Sequence, residues 1–467
     1  MDGGNESAVN RTGDFVVVAN RLPVHRVHRE GTAFWRTSPG GLVTALSPVL
    51  RQERGIWVGW AGIHGDPPPR FCHDDIEHQP IGLDRSEVRD FYEGMCNRTL
   101  WPLYHDAVRH PRFRRRWWTP YVDVNRRFAN AVARVAARGA TVWIHDFHLQ
   151  LVPAMLREQR PDLRIGFFLH IPFPPQELFA QLPWRNAILD GLLGADVVGF
   201  QTTHAARNFR QLCRRFGQAR IDGQTLIRGG RRIRAQAYPI SIDVDFYESL
   251  AAREGVVRRA REFRRRLGDR RVMLGVDRLD YTKGIDRRLN ALVDVLRDRR
   301  IKPADWVFVQ VGVPSRERVA EYRRLRSRVE RLIGKINGEF SEIGKPMVEY
   351  ISRSLPPPEL VALYLAADVL TVTPLRDGMN LVAKEYVATR RDETGVLVLS
   401  EFSGASNELR SAVLINPHDI NGIANAFQRA AEMGQPEQRR RMRSMGRALR
   451  RNTVFDWSRA FLSALRE

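Results

Sequence analysis

Short runs of β-branched and aromatic residues, apolar almost throughout, punctuate the chain. They begin with FVVVA at 15–19, continue with TVWIHD, RIGFFLH and VVGFQ, and resume with VMLGVD, WVFVQVG, MVEYI, VLTVTP, GVLVLS and AVLINP. A strand of a parallel sheet reads this way, because helices cover both of its faces and no position need be polar. Between the runs the apolar positions change to helical spacing, as in PELVALYLAAD before VLTVTP and NLVAKEYVATR after it. The pattern predicts an α/β protein. Turn formers and polar residues gather at 238–250, YPISIDVDFYESL, and divide the strands into two groups. The expectation is two Rossmann-like, doubly wound domains facing across a cleft, one over residues 1–240 and one over 241–436.

A chain of 467 residues, 43% hydrophobic, can bury two cores. It has no uninterrupted apolar run near the roughly 18 residues of a bilayer span, and its first residues, MDGGNESAVNRTGD, are polar. A soluble, cytoplasmic protein without a membrane partner is expected. Cys72, Cys96 and Cys213 are widely spaced and form no CxxC pair, which argues against a disulfide framework and against a zinc site. A formal net charge of +22 raises nucleic acid as a partner. The basic residues are nearly all arginine, however, with lysine only at 283, 302, 335, 345 and 384. That skew resembles codon bias, and stretches such as REFRRRLGDRR read as solvated helix faces, so nucleic acid is not the expected partner.

Ligands of parallel α/β sheets sit at the carboxyl ends of the strands. Those ends carry Asn20 and Arg21, His145 and Asp146, His170, then Asp277, Arg278 and Lys283, and finally Arg376 and Asp377. One such residue is ordinarily a cap or turn former; so many on one edge point to a site. In VDRLDYTKGI, Arg278 and Lys283 stand five apart on a loop and can converge on a diphosphate, although two surface cations in a turn would look the same. In TPLRDGMNLVAKEYV, 373–387, strand, turn and helix start follow directly. Gly378 permits close approach, and the backbone N–H groups of Met379, Asn380 and Leu381 can hold phosphate oxygens. Asp377 and Glu385 are placed to meet a sugar hydroxyl and a ribose; the plainer alternative has Asp377 capping the helix and Glu385 paired with an arginine. His170 alone reads as a structural hydrogen-bonder, and GGL at 40–42 as a flexible loop able to close over a ligand.

Taken together, SPGGLV, WVGWAG, NRTLWPLYH, WIHDFHLQLVP, IGFFLHIPFP, GVDRLDYTKGI, VPSRERV, VTPLRDGMNLVAKEYVA and GVLVLSEFSGASNEL resemble the trehalose-6-phosphate synthases, glycosyltransferase family 20. The wording is most similar to actinobacterial members, and the likeness runs from VVVANRLP at 16–23 to NPHD at 416–419. It implies the GT-B fold, with a last helix over 437–467 crossing back to the first domain. It also implies transfer of glucose, with retention, from a nucleoside diphosphate glucose to glucose 6-phosphate. By resemblance, Arg21, Tyr92, Trp101 and Arg316 hold the acceptor phosphate, at roughly 1.5 to 3 kcal/mol for each charge-assisted bond, and Asp146 meets the acceptor sugar. Gly41 lies in the loop over the donor diphosphate, His170 touches the donor glucose, Arg278 and Lys283 the diphosphate, Asp377 the glucose and Glu385 the ribose. Backbone groups of Asn380, Leu381 and Val382 complete the donor site. The resemblance implies no obligatory metal or other cofactor, and it leaves the nucleotide base open. Homo-oligomerisation is common in such proteins. Two related readings share most of these residues: a synthase acting on another phosphorylated acceptor, such as glycerol 3-phosphate, and an inactive regulatory homologue that binds sugar phosphates.

Overall fold

The computed structural model describes residues 12–29, 32–37, 41–53, 55–268 and 270–467. The chain divides into two compact units, Met1–Pro239 with Phe455–Glu467, and Ile240–Val454. Both are α/β.

The sheet of the first unit has seven central strands, each parallel to its neighbour. In spatial order they are Arg231–Ala237, Val197–Phe200, Arg164–Phe168, Ala136–His145, Gly13–Arg21, Ile56–His64 and Ile76–Leu83. Short antiparallel strands extend it at both edges. Val16, Val17, Val18, Val142, Ile144 and Phe167 are fully buried, as expected of strands covered on both faces. Because the chain enters all seven central strands from the same end, Arg21, His145 and Asp146, and the residues after Phe168 lie on one sheet edge.

The second unit holds six strands, all parallel, in the order Val348–Ile351, Trp306–Val313, Arg271–Arg278, Val369–Val372, Val396–Ser400 and Val413–Ile415. Each coincides with one of the apolar runs. Arg288 is fully buried here, ion-paired with Asp277 and donating to the Thr371 carbonyl. A buried cation needs such a partner, so Asp277, one of the strand-end candidates, is committed to holding the fold.

The expected single helix over 437–467 is two helices. Gln435–Arg450 remains in the second unit, and Val454–Arg466 supplies the tail of the first. The break has two causes: the Val454 N–H leaves the helical ladder to donate to the Ile242 carbonyl, far away in sequence, at 3.0 Å, and Asn452 and Thr453 are weak helix formers. In the tail, Trp457 packs on Trp143 and Phe168 with ring centroids 5.0 and 5.2 Å away, and Phe461 lies flat on Trp143 at 4.5 Å. Among the described residues no helix is long and apolar enough to cross a membrane, and none of the three cysteines forms a disulfide.

Candidate active site

The first unit gathers its site residues at the carboxyl edge of the sheet. Arg21 is the last residue of its strand, and its guanidinium lies 4.3 Å from the centroid of the Trp60 ring. Gly62 makes room for it: φ there is +84°, and a Cβ would stand 2.6 Å from Arg21 Nη1. Tyr92 belongs to a helix over Val88–Leu100 that winds with i→i+5 bonds, the last of them from the Trp101 N–H to the Cys96 carbonyl. Such winding rarely exceeds one turn and concentrates at functional sites. The Tyr92 ring meets Trp60 edge-on at 6.4 Å and stacks on His148 at 5.8 Å. His148 packs on Phe147 at 3.9 Å, and Phe147 meets Trp101 at 5.6 Å. One aromatic chain thus joins Arg21, Tyr92 and Trp101. Its links, Trp60, Phe147 and His148, were not singled out from the sequence, although two of them directly follow the TVWIHD run.

Asp146 has φ 73° and ψ 167°, a conformation that costs a non-glycine residue about 1 to 3 kcal/mol and is kept where function requires it. Two bonds hold it there. Its N–H donates to the Phe168 carbonyl at 2.8 Å, and its carboxylate accepts the His170 N–H at 3.3 Å. The His170 ring shares a hydrogen bond of 3.0 Å with the buried His145, from Nε2 to Nδ1. Burial lowers both imidazoles, His170 to about 3 and His145 well below its ordinary value. Both rings are therefore neutral at pH 7, and His170 is a hydrogen-bonding group without an acid's charge. Trp457 supports it, with ring centroids 6.2 Å apart.

In the second unit the cations gather around one carboxylate that sequence reading passed over. Asp280, fully buried, accepts the Thr282 N–H at 3.0 Å and the Thr282 hydroxyl at 2.9 Å through Oδ1, and its Oδ2 lies 3.7 Å from Arg316 Nη1. Burial alone would raise this acid; Arg316, then Arg278 and Lys283, outweigh it and hold the carboxyl below its ordinary range. Arg316, with φ 49°, also bonds the Tyr322 hydroxyl. It therefore belongs to the Asp280 cluster of this unit, while Arg21, Tyr92 and Trp101 belong to the other unit. Gly284 ends the VDRLDYTKGI loop at φ 63°, where a Cβ would strike the Thr373 carbonyl at 2.2 Å.

Lys283 reaches across to Asp377, Nζ to Oδ2, at 2.6 Å. The same oxygen accepts the Asn380 side-chain N–H at 3.1 Å. The helix Leu381–Thr389 is capped by Asn380, whose Oδ1 accepts the Ala383 N–H at 3.1 Å, and not by Asp377. Asn380 has φ 85°, and the Met379 carbonyl is fixed by the Ala405 N–H at 2.8 Å. The first-turn N–H groups of Leu381 and Val382, which the helix itself cannot pair, carry its positive dipole end. Gly378 leads into this turn. Among the described residues no arginine pairs with Glu385; it accepts the Tyr364 hydroxyl at 2.9 Å. Lys384 is buried and anchors the Ile240 carbonyl and Glu408, each at 2.8 Å. Gly41 opens the helix Gly41–Gln52, and the loop expected before it includes residues 38–40, outside the described residues.

Fixed cations and a helix N-terminus at the sheet edge, with carboxylates beside them, are the equipment of a transferase that takes its sugar from a nucleoside diphosphate. The glycosyltransferase family 20 model matches residues 13–467. A trehalose-6-phosphate synthase of Mycobacterium avium is 54% identical over 481 residues, covering 99% of this chain and 97% of the relative. Two solved structures are similar throughout. An α,α-trehalose-phosphate synthase (UDP-forming) from Burkholderia xenovorans, in complex with glucose-6-phosphate, has TM-score 0.90 and 34% identity, over 97% of this chain and 100% of that one. The E. coli protein bound with UDP-2-fluoro glucose has TM-score 0.89 and 32% identity, over 97% and 99%. The chain belongs to glycosyltransferase family 20.

Proposed function

We propose that this enzyme transfers glucose, with retention, from a nucleoside diphosphate glucose to glucose 6-phosphate, giving α,α-trehalose 6-phosphate and the nucleoside diphosphate. The observation that carries the reading is the Asp280 cluster: one buried carboxylate collects Arg278, Lys283 and Arg316 in a chain that matches trehalose-6-phosphate synthases over nearly its whole length. In this reading Arg278 and Lys283 neutralise the departing diphosphate, and the Leu381–Thr389 helix start binds its oxygens. Asp377 and His170 orient the glucose, and Glu385 takes the ribose. Arg21, Tyr92, Trp101 and Arg316 hold the acceptor phosphate, and Asp146 the acceptor sugar. Gly41 stands beside the donor.

Retention follows without a protein nucleophile when the acceptor hydroxyl attacks from the face the phosphate leaves. A diphosphate oxygen then accepts the hydroxyl proton as the new C–O bond forms and the old one breaks. The protein contributes position and fixed charge, the terms that carry most of such a rate enhancement. Two arginine and lysine charges supply the neutralisation a divalent cation would otherwise give, so we propose a reaction independent of metal. We further propose a cytoplasmic enzyme that assembles into homo-oligomers, checked by cell fractionation and light scattering.

The test incubates the purified chain with glucose 6-phosphate and UDP-, ADP- or GDP-glucose in turn, with and without EDTA, and identifies the product by NMR. An α,α-1,1-linked disaccharide phosphate at an unchanged rate in EDTA is expected. Turnover only with glycerol 3-phosphate would replace the acceptor assignment, no turnover with any donor would leave a sugar-phosphate-binding homologue, and strict dependence on added Mg²⁺ would remove the metal-free mechanism.

A further inference from the structure

Glu385 differs from most carboxylates of this arginine-rich chain in the company it keeps. The groups that act on it are two tyrosine hydroxyls, Tyr364 at 2.9 Å and Tyr247. They come from separate helices of the second unit, Tyr247 from Val244–Ala252 and Tyr364 from Pro357–Ala366, while Glu385 lies in Leu381–Thr389. Tyr364 is fully buried; Tyr247 and Glu385 are half-buried. Burial raises the Glu385 acid, and the two hydroxyls pull it back toward the ionised form. Burial and the Glu385 charge together raise both phenols, so they stay protonated and act toward Glu385 as donors.

A carboxylate offers about four lone-pair directions. Two tyrosine O–H groups fill two of them, fix the plane of the carboxylate and leave it able to accept two more hydroxyls. A vicinal diol presents two hydroxyls at that spacing. We infer that Tyr247 and Tyr364 are positioning residues that hold Glu385 as an aimed acceptor for the ribose diol of the donor, and so set a preference for ribonucleotide over 2′-deoxyribonucleotide sugars. The inference rests on the reading of Glu385 as the ribose contact. If the hydroxyls only staple three helices together, their loss changes stability and leaves donor preference alone.

The experiment compares full-length wild type with Tyr364→Phe, Tyr247→Phe, the double variant and Glu385→Gln. It measures kcat and KM for the best nucleoside diphosphate glucose and for its 2′-deoxy analogue at saturating glucose 6-phosphate, and follows folding by thermal melting. Each single Tyr→Phe variant is expected to raise KM for the ribose donor roughly tenfold, the scale of one hydrogen bond to a charged group, with kcat and acceptor KM within about twofold. The deoxy donor should be affected less, so the wild-type preference narrows, most in the double variant. Tyr→Phe variants that keep the full preference while Glu385→Gln loses it would overturn the role of the tyrosines. A Glu385→Gln enzyme with its preference intact would instead remove the ribose assignment, and this inference with it. Should Tyr364→Phe melt early, the half-buried Tyr247→Phe gives the same reading.

Discussion

Lys283 and Arg278 differ in what surrounds them. Lys283 is mostly buried and held by Asp377, whereas Arg278 is exposed at its strand end. Fixed cations of this kind act on charge that develops as the diphosphate departs, and losing one such group costs about two to three decades in turnover. Lys283→Ala and Arg278→Ala should each fall by that much with near-normal circular dichroism; wild-type kcat in either would end the assignment. Asp280 has a different signature, because its pKa is depressed by Arg316, Arg278 and Lys283 against the opposing effect of burial. A lowered folded pKa stabilises at neutral pH, above the unfolded value of about 3.9, and that stability is lost as pH falls through the folded pKa. Asp280→Asn should therefore melt well below wild type at pH 7, and the gap should close below about pH 4. A gap independent of pH would contradict the charge argument. Asp280 shows why part of the site was illegible in the sequence. Arg278, Lys283 and Asp377 stand out as strand-end polar residues, but nothing in LDYTKG distinguishes a buried hub from an ordinary turn aspartate until Arg316, far along the chain, is folded against it.

At the scale of the element, the turn that opens Leu381–Thr389 depends on Asn380 twice, for its cap to the Ala383 N–H and for its tolerance of φ 85°. Alanine loses the cap, at about 1 kcal/mol, and adds the strain of a left-handed backbone, about another 1 to 2 kcal/mol. Glycine relieves the strain and gives up only a few tenths as a cap. Asn380→Ala should thus lower Tm by roughly 4 to 10 °C, while Asn380→Gly stays within about 2 °C of wild type. Equal losses in calorimetry would show that backbone conformation is not what selects asparagine. The same contrast between buried and half-exposed backbone explains which strands were legible. All six strands of the second unit are apolar runs, and the four inner ones are buried almost throughout. Ile76–Leu83 and Arg231–Ala237 alternate buried with partly exposed positions near the edge of their sheet, so IEHQPIGL and RRIRAQA lack the signature. The break near Thr453 was equally hidden, since it follows from the distant Ile242 carbonyl.

Across the whole molecule, where the net charge is +22, several arginines have structural work to do. Arg390 donates to the carbonyls of Tyr364, Leu365, Ala367 and Thr394, and Arg160 to those of Ala133, Ala136 and Ala137. Arg157 and Arg231 both engage Asp196. The guanidinium fork suits such clamping as an ammonium does not. The remaining long-range demand is the tail. Trp457, Phe461, Leu462 and Leu465 are all buried, and the first two cover Trp143 and Phe168 in the first unit. At about 1.5 to 3 kcal/mol for each buried side chain, the four contribute on the order of 6 to 12 kcal/mol, comparable with the whole stability of an ordinary domain, about 5 to 15 kcal/mol. A chain ending at Thr453 should therefore lose the cooperative melting of the first unit and become sensitive to limited proteolysis within residues 12–239, while the second unit, which keeps its own six-stranded core, still melts cooperatively. A truncated chain with the full-length melting profile and protease resistance would mean that the 136–145 and 164–168 strands hold without their C-terminal cover.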